Sequence, residues 1–556
     1  MNIKQELSDL IYAALGRLTA ETGLEIALPA FNIDSPDDAN NGDFSSNVAL
    51  ISAKVFRKPP RVIAEGIAKY LILDGSAFDR VEVAGAGFLN FFCGNAYYAD
   101  TVRKVLSERE NYGRTDYGNG KTILVEFVSA NPTGPMHIGN ARGGAIGDCL
   151  ASVLDFAGFG VEREFYVNDA GNQINKFGVS LEARYRQLKG EDIEITEDMY
   201  KGVDITDLAQ AFIDSGEQAD GDTLQQKLVA FGLPKNIVTL EYDLLKYRIE
   251  YDNWFRESTL HANNAAENVI TKLIANGQTY EKDGAIWLKA KVLGADEDVV
   301  LKRANGIVTY IVPDIAYHYD KLVTRKFDIA VDILGADHHA YVARIKAALT
   351  AIGIENIERR LKIIIMQMVR LVRHGEDGEK EIVKLSKRSG KAITLSSLLD
   401  DIPIDAARFF FNLRDAGTHL EFDLDLAIDE SAKNPVYYVQ YAHARICSVI
   451  KRSAAEGQIY DENSELNYTA HAEKELVKKI AQFPDEITQA AVEYDPSRIT
   501  RYVLALAQVF HKFYDICRIK GEPTEVVQPR LALCAAAKQT IANALGLLKV
   551  TAPEKM

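Results

Sequence analysis

Apolar positions along the first 110 residues follow two periods in turn. From Ile3 to Leu18 they recur at the three-and-four spacing of a helix with one buried face. Pro59 to Leu71 predicts a second helix, with Pro59 and Pro60 at its start, where a missing N–H is tolerated. VEVAGAGFLNFF (81–92) reads as strand, glycine turn and strand. Residues 1–110 are therefore expected to form a small α+β unit, and polar NYGRTDYGNGK (111–121) a linker.

The pattern then changes character. TILVEFVSA (122–130) reads as a buried strand, NPTGP (131–135) as a loop, and about His137 to Ala157 as a helix stopped by Gly158. VEREFYV (161–167) alternates as the next strand. Strand, loop, helix and strand in this order open a parallel nucleotide-binding sheet. Residues 170 to about 300 read as a charged, helical insertion. FDIAVDILG (327–335) is a further strand, followed by a helix ending near Ile352. LKIIIMQMV (361–369) is another strand, leading to polar KLSKRSGK (384–391). From Asn434 onward the spacing is helical throughout, over 435–453, 471–493, 496–519 and 528–549. The expected fold class is multidomain α/β: an α+β unit over 1–110, an α/β domain over 111–430 with a helical insertion at about 175–300, and an all-α bundle over 431–556.

Composition narrows the class. The 556 residues are 47% hydrophobic and 26% charged, which suits a globular protein with large cores and excludes a disordered or fibrous one. That length corresponds to roughly three to four domains. No stretch approaches the roughly 20 apolar residues of a membrane span. The N-terminus MNIKQELSDL has neither a secretory nor a transit pattern. Cys93, Cys149, Cys447, Cys517 and Cys534 are scattered and form no CxxC, so a disulfide framework or cysteine zinc site is not expected, and a cytoplasmic location is. Net charge is −15, but residues 431–556 carry 16 Lys and Arg against 14 Asp and Glu, leaving this tail at +2. Such a tail permits basic surfaces that the chain as a whole does not.

Two segments carry chemistry. In NPTGPMHIGN, His137 stands at a helix start beyond a parallel strand, where free N–H groups favour an anion such as phosphate. Gly139, Gly143 and Gly147 recur every four residues and leave one helix face bare. That face either admits a flat nucleotide or packs against the sheet. The second segment, KLSKRSGK, is a cationic loop able to neutralise a polyphosphate leaving group. No GxxxxGK[ST] is present, so Walker-type phosphate binding is excluded.

Taken together, His-Ile-Gly-Asn after the first strand and Lys-Leu-Ser-Lys-Arg after the last resemble the HIGH and KMSKS motifs of the class I aminoacyl-tRNA synthetases. VEFVSANPTGPMHIGNARGGAIGD, DIAYHYDK (314–321), GADHHAYVARIKAAL (335–349), DAARFFF (405–411), NPVYYVQYAHAR (434–445) and APEKM (552–556) are similar to the arginyl branch of that class. The likeness is weakest over 175–250. Two positions depart from the motifs: Asn140 stands for the last His of HIGH, and Leu385 and Arg388 for the Met and final Ser of KMSKS. Asn140 retains a hydrogen-bond donor.

The resemblance implies a Rossmann catalytic domain, an N-terminal domain that touches the tRNA elbow, and a helical anticodon-binding domain. It implies that His137, Asn140, Lys384 and Lys387 are catalytic. ATP is expected on Pro135, His137, Gly139, Asn140, Gly335, Asp337, His338, Lys384, Ser386 and Lys387. Arginine needs carboxylates for its guanidinium; the resemblance points to Asp314, Tyr310 and Glu257 there, and to Asn131 and Glu126 at the head group or pocket wall. Asn90, Tyr437, Tyr438, Arg445, Arg501 and Tyr514 are expected to contact tRNA, with Lys451, Arg452, Arg498, Lys512, Arg518 and Lys520 as further basic candidates. The partners implied are tRNA, L-arginine and ATP with Mg²⁺ as a substrate complex, with no resident metal and a monomeric chain. The competing readings are a non-catalytic tRNA-binding paralogue, which should have lost His137 or Lys387, and another HIGH-motif nucleotidyl-transferring enzyme.

Overall fold

The computed structural model describes residues 3–23, 29–34, 36, 38–217, 221–375, 378–383 and 393–556. Its centre is a five-stranded, wholly parallel sheet. In spatial order the strands are Leu361–Met366, Ile329–Gly335, Thr122–Glu126, Gly160–Val167 and Asn253–Arg256. Numbered along the chain this is 5-4-1-2-3, the doubly wound arrangement in which the order reverses between the first strand and the fourth. The two faces feed different cores. Ile123, Val125, Val331 and Ile333 pack with the helix Ile138–Phe156. Ala330 and Leu361 pack with Val312 and Ile315 of the helix Ile311–Tyr319 and with Ile345 and Leu349 of the helix Tyr341–Ala351.

The first strand ends at Glu126, four residues before the apolar run does. Val128 and Ser129 take φ values of 68° and 40°, and the Ser129 N–H bonds back to the Phe127 carbonyl at 3.0 Å. This tight γ-turn is strained for a β-branched residue and stops the extended chain. The expected single strand over 361–369 is likewise two, Leu361–Met366 in the main sheet and Val369–His374 in a small mixed sheet with Lys380–Ile382 and Leu420–Asp423.

The insertion mixes helices with short strands, and its later part keeps the helices Ser258–Ala262 and Ala265–Ala275. Gly171–Leu188, Val203–Asp214 and Leu224–Lys246 enclose a separate core of Phe177, Leu181, Ile205, Phe212, Leu224 and Leu228. Asn253–Arg256 then returns to the edge of the main sheet, and Thr279–Lys282, Ala285–Leu288 and Val299–Lys302 form a three-stranded antiparallel sheet. Four-residue strands are too short for periodicity to reveal. The N-terminal unit is a four-stranded antiparallel sheet with helices Ile3–Thr22 and Pro60–Tyr70 against it. The C-terminal bundle has five helices, because the expected 471–493 helix divides into His471–Ala481 and Phe483–Glu493. Pro484 stands in the first turn of the second piece, where its missing N–H is harmless; within one continuous helix it would remove a bond.

Residues 111–121 pack rather than link. Tyr112 is buried and donates through its hydroxyl to the Ile480 carbonyl at 2.9 Å, while Asn543 donates to the Arg109 and Tyr112 carbonyls. A buried cation ties the bundle to the sheet domain. Arg408 donates to Asp148 (2.5 Å) on the helix Ile138–Phe156, to the Tyr247 carbonyl (2.9 Å), and to the Leu548 carbonyl (2.9 Å) just beyond the last helix. Removing one partner of such a group leaves a buried charge and its carbonyls unpaired. Arg408→Ala is therefore expected to lower unfolding free energy by about 3–5 kcal/mol, read as a fall in urea midpoint by circular dichroism.

Candidate active site

Where the strand order reverses, the carboxyl ends of strands Thr122–Glu126 and Ile329–Gly335 border an open cleft of about 1420 Å³. Its walls include Glu126, Asn131, Pro135, His137, Asn140, Tyr166, Asn168, Asp314, Gly335, Asp337, His338 and Tyr341. Eight of the residues expected at the ATP and arginine sites thus share one cavity: Pro135, His137, Asn140, Gly335, Asp337, His338, Asn131 and Asp314, with Glu126 as a ninth. Tyr200 to Asp204 and Asp207 of the insertion complete one side.

At one end of the cleft, His137 caps the helix Ile138–Phe156. Its Nδ1 accepts the Gly139 N–H (3.1 Å), and the Asn140 Oδ1 accepts the His137 N–H (3.1 Å). This reciprocal cap fixes the tautomer: Nδ1 is an acceptor, so the proton sits on Nε2. Burial lowers the His137 pKa and keeps the ring neutral. The same cap leaves the Asn140 amide NH₂ as its remaining donor. The first N–H groups of the helix are spent on Ile393 and His137, contrary to the free donors expected at this helix start, so the two neutral side-chain donors at the positive end of the helix dipole are what suit this end to phosphate. Gly139 does not line the cleft; its N–H serves the cap.

The other glycines answer the question their spacing raised. A Cβ on Gly147 would lie 2.2 Å from Phe127 Cγ, and one on Gly143 would meet Met366 at 3.6 Å. The bare face packs against the sheet and does not receive a nucleotide.

Lys384, Ser386 and Lys387 lie outside the described residues. The chain beyond them is stitched to the capped helix: the Ile138 N–H donates to the Ile393 carbonyl (3.2 Å) and the Leu395 N–H to the Met136 carbonyl (2.9 Å). Thr394 and Ser397 line the cleft beside His137. Arg142, wholly buried on the same helix, donates to the carbonyls of Gln367, Asp415 and Thr418 and joins it to the small mixed sheet. With no carboxylate among these acceptors, burial pulls the Arg142 pKa down to about 10.

The opposite end is acidic. Burial pushes the Asp314 carboxyl up to about 6; the nearby His318 opposes this, Glu257 and Glu126 reinforce it, and the Tyr341 hydroxyl donates to it. Glu257, which does not itself line the cleft but lies behind Asn168 and Tyr166, is also raised by burial, with His261 and Tyr166 as counteracting partners. The Asn168 amide, oriented to satisfy both its ends, donates to Glu257 Oε2 at 2.8 Å. Below them Lys321 bridges Glu126 (2.5 Å) and Asp332 (2.8 Å), and His318 Nε2 meets Asp332 at 2.6 Å. Tyr310 stands apart: it precedes the helix Ile311–Tyr319, is 72% exposed and does not line the cleft.

Three family profiles cover nearly all of the chain. They are the Arginyl tRNA synthetase N terminal domain over 2–93, the tRNA synthetases class I (R), catalytic domain over 101–419, and the DALR anticodon binding domain over 439–556. The chain belongs to the arginyl-tRNA synthetase family. A relative named arginine–tRNA ligase from Acetivibrio thermocellus is 47% identical, across 100% of this chain and 99% of its own length. Another of that name, from Caldanaerobacter subterraneus subsp. tengcongensis, is 46% identical over the same shares. A putative arginyl-tRNA synthetase structure from Campylobacter jejuni superposes with a TM-score of 0.75 at 32% identity, over 83% of this chain and all of that one. The Thermus thermophilus arginyl-tRNA synthetase shares the fold, with a TM-score of 0.74 at 20% identity over 99% of this chain and all of its own.

In the helical domain that the family assigns to anticodon binding, Tyr437, Tyr438, Arg445 and Tyr514 come together across helices Pro435–Ala455 and Ser497–Ile516. The Arg445 guanidinium lies 4.6 Å from the Tyr441 ring and 5.0 Å from that of Tyr514. His511 lies tilted 4.8 Å from the Tyr438 ring and stacks 6.1 Å from that of Tyr441. Tyr441 and His511 are absent from the sequence candidates, although four residues from Tyr437 and three from Tyr514 is the spacing of one helix face. Arg501 sits about 15 Å further along its helix and pairs with Asp495 and Ser497. Lys451, Lys520 and Arg498 are paired with Glu554, Glu456, and Glu486 and Glu493. Asn90 is buried in the N-terminal sheet and accepts from Ser45 at 2.8 Å. Tyr166, Asn168 and Tyr341 in the cleft also escaped sequence reasoning; an aromatic within a strand gives no sign that its hydroxyl faces a ligand.

Gly147→Ala tests the packing assignment. It should cost about 1–3 kcal/mol of stability, as overpacking does, seen in urea denaturation, and leave ATP KM within twofold of the parent.

Proposed function

We propose that the cleft forms arginyl-adenylate from L-arginine and ATP and then transfers arginine to the terminal ribose of tRNA. As a member of its family the chain is an arginine–tRNA ligase, a class I aminoacyl-tRNA synthetase. The observation that carries the site reading is the polarity of one cavity, with neutral donors at a helix N-terminus at one end and buried carboxylates at the other.

ATP binds with its phosphates toward His137 and Asn140 and its ribose and base toward Gly335, Asp337 and His338, with Pro135 beside it. It arrives as its Mg²⁺ complex. Arginine lies with its guanidinium on Asp314 and Glu257 and its head group near Asn131 and Glu126. The arginine carboxylate attacks the α-phosphorus in line, forming a carboxyl–phosphate bond as the bond to pyrophosphate breaks. No protein nucleophile is needed, so the chain contributes positioning and charge stabilisation. The His137 Nε2–H and the Asn140 amide hold the phosphate oxygens, and Lys384 and Lys387 of the 384–392 segment, with Ser386, neutralise the departing pyrophosphate. The ribose 2′-hydroxyl of tRNA then attacks the adenylate carbonyl and releases AMP.

The tRNA body would contact the 431–556 domain at Tyr437, Tyr438, Arg445 and Tyr514, where loop bases stack on rings and phosphates meet cations. The 1–110 domain would meet the elbow, and 111–430 holds the chemistry. A cytoplasmic monomer with no resident metal is the simplest assembly consistent with this reading. His374, Asp423 and Asp425 do lie together, but Asp425 accepts the His374 N–H and Asp423 caps Leu426. Pyrophosphate exchange into ATP, assayed with each amino acid in the presence and absence of tRNA, tests the adenylate step: of the amino acids, arginine alone should support it.

His137→Ala and Lys387→Ala should each slow adenylate formation by about 100-fold, near 3 kcal/mol of lost transition-state stabilisation, while arginine KM stays within threefold. Rapid-quench measurement of the first turnover checks this; near-normal rates would misplace the phosphate site.

Arginine affinity should depend on pH through Asp314. The guanidinium stays charged, so it needs the carboxylate form. In the free cleft that form predominates above about pH 6. Affinity should therefore be flat above pH 7 and weaken by up to tenfold per unit below 6. Asp314→Asn should abolish this dependence and raise arginine KM by an amount equivalent to about 2–5 kcal/mol, with ATP KM little changed.

A further inference from the structure

The helix Ile311–Tyr319 continues into a π-helical turn, Asp320–Thr324. Asp314, His318 and Lys321 stand at i, i+4 and i+7 and share one face. A π turn widens the helix locally and recurs at functional sites; here it carries a lysine with no exposed surface. The Lys321 ammonium donates to Glu126 Oε2 at 2.5 Å and to Asp332 Oδ1 at 2.8 Å, with the Tyr317 ring centroid 4.1 Å away. The other Glu126 oxygen accepts from Ser129 Oγ at 2.9 Å. The other Asp332 oxygen meets His318 Nε2 at 2.6 Å, and His318 Nδ1 donates to the Asp314 carbonyl at 2.7 Å.

Both ring nitrogens of His318 therefore carry protons, because one faces a carbonyl and the other a carboxylate. Burial opposes that charge, but Asp332 outweighs it and holds the His318 pKa above its ordinary range. Two cations and two carboxylates are thus locked together beneath the cleft. Buried ion pairs are poor sources of stability, since apolar side chains of the same shape often serve as well. What this cluster supplies is geometry. It connects the Glu126 carboxylate, after the first strand, to the main chain at Asp314 on the helix, whose own carboxylate borders the same acidic end of the cleft.

We propose that Lys321 is a positioning residue of the amino-acid site: it holds the Glu126 carboxylate directly and the helix backbone at Asp314 through Asp332 and His318, fixing the span between the Glu126 and Asp314 carboxylates and so the side-chain length accepted. This rests on the arginine-activating reading. Lys321 and His318 together neutralise Glu126 and Asp332, which leaves Asp314 and Glu257 as the carboxylates for one guanidinium.

The test uses the full-length protein with tRNA in pyrophosphate exchange, with arginine and with homoarginine, which is longer by one methylene. Lys321→Met should raise arginine KM at least tenfold with ATP KM within twofold, and should cut the preference for arginine over homoarginine at least fivefold. A merely structural role would lower active enzyme concentration or raise both KM values together, with the preference intact; that result overturns the proposal, as does an unchanged arginine KM in a folded variant. If Lys321→Met does not fold, His318→Gln decides by the same criteria, since it cuts only the link to Asp314 and keeps both lysine ion pairs. Failure of the parent protein to exchange pyrophosphate with arginine would instead remove the arginine reading, and this inference with it.

Discussion

Two parallel neighbours, strands Thr122–Glu126 and Ile329–Gly335, send the chain to opposite faces of the sheet, and neither connection can fill the space beyond their carboxyl ends. That vacancy is the constraint from which the rest follows. The first strand delivers Glu126 and, through a strained γ-turn at Val128, the NPTGP loop and the His137 cap. The fourth delivers Asp332, Gly335 and the Asp337–His338 pair. Strain stored at such a turn is tolerated because Ser129 is held on both sides, donating to Glu126 and accepting from the Tyr166 N–H.

Around the vacancy, three wholly buried cations join parts of the chain that are far apart in sequence. Arg142 secures the capped helix to the small mixed sheet. Arg408 secures that helix to the end of the anticodon-type bundle. Lys321 secures the acidic end of the cleft to its sheet. Each directs donors to carbonyls or carboxylates, as a buried charge must, although the Arg142 Nε is left without a partner. A movement of the bundle would therefore be felt at Asp148, three turns along the helix that begins at His137.

The central strands and the long helices were legible in the chain because each buries one face over many residues, and burial imposes a period. His137, Asn140 and Asp314 were legible through motif resemblance, and the cleft gathers them. Within the helical reading of 170 to about 300, the helices Ser258–Ala262 and Ala265–Ala275 hold, but the strands at 253–256, 279–282, 285–288 and 299–302 were missed because four residues carry too few positions to show alternation. The linker reading of 111–121 failed because Tyr112 is buried by partners more than 360 residues away. The glycines at 143 and 147 allowed two roles, and only the positions of Met366 and Phe127 chose between them.

The sequence by itself determined the order of the domains, the elements of the parallel sheet and the kind of chemistry at its first loop, because these depend on local pattern and on residues close together in the chain. Tertiary structure alone decided which polar groups are spent and which are free. Asn90 is committed to Ser45, Arg501 to Asp495, and Glu126 to Lys321, while Tyr441 and His511 gather around Arg445, which reaches the Tyr441 hydroxyl and His511 Nδ1. A side chain's partner is set by which surfaces meet when the cores close, and periodicity along one segment carries no information about the segment it will face.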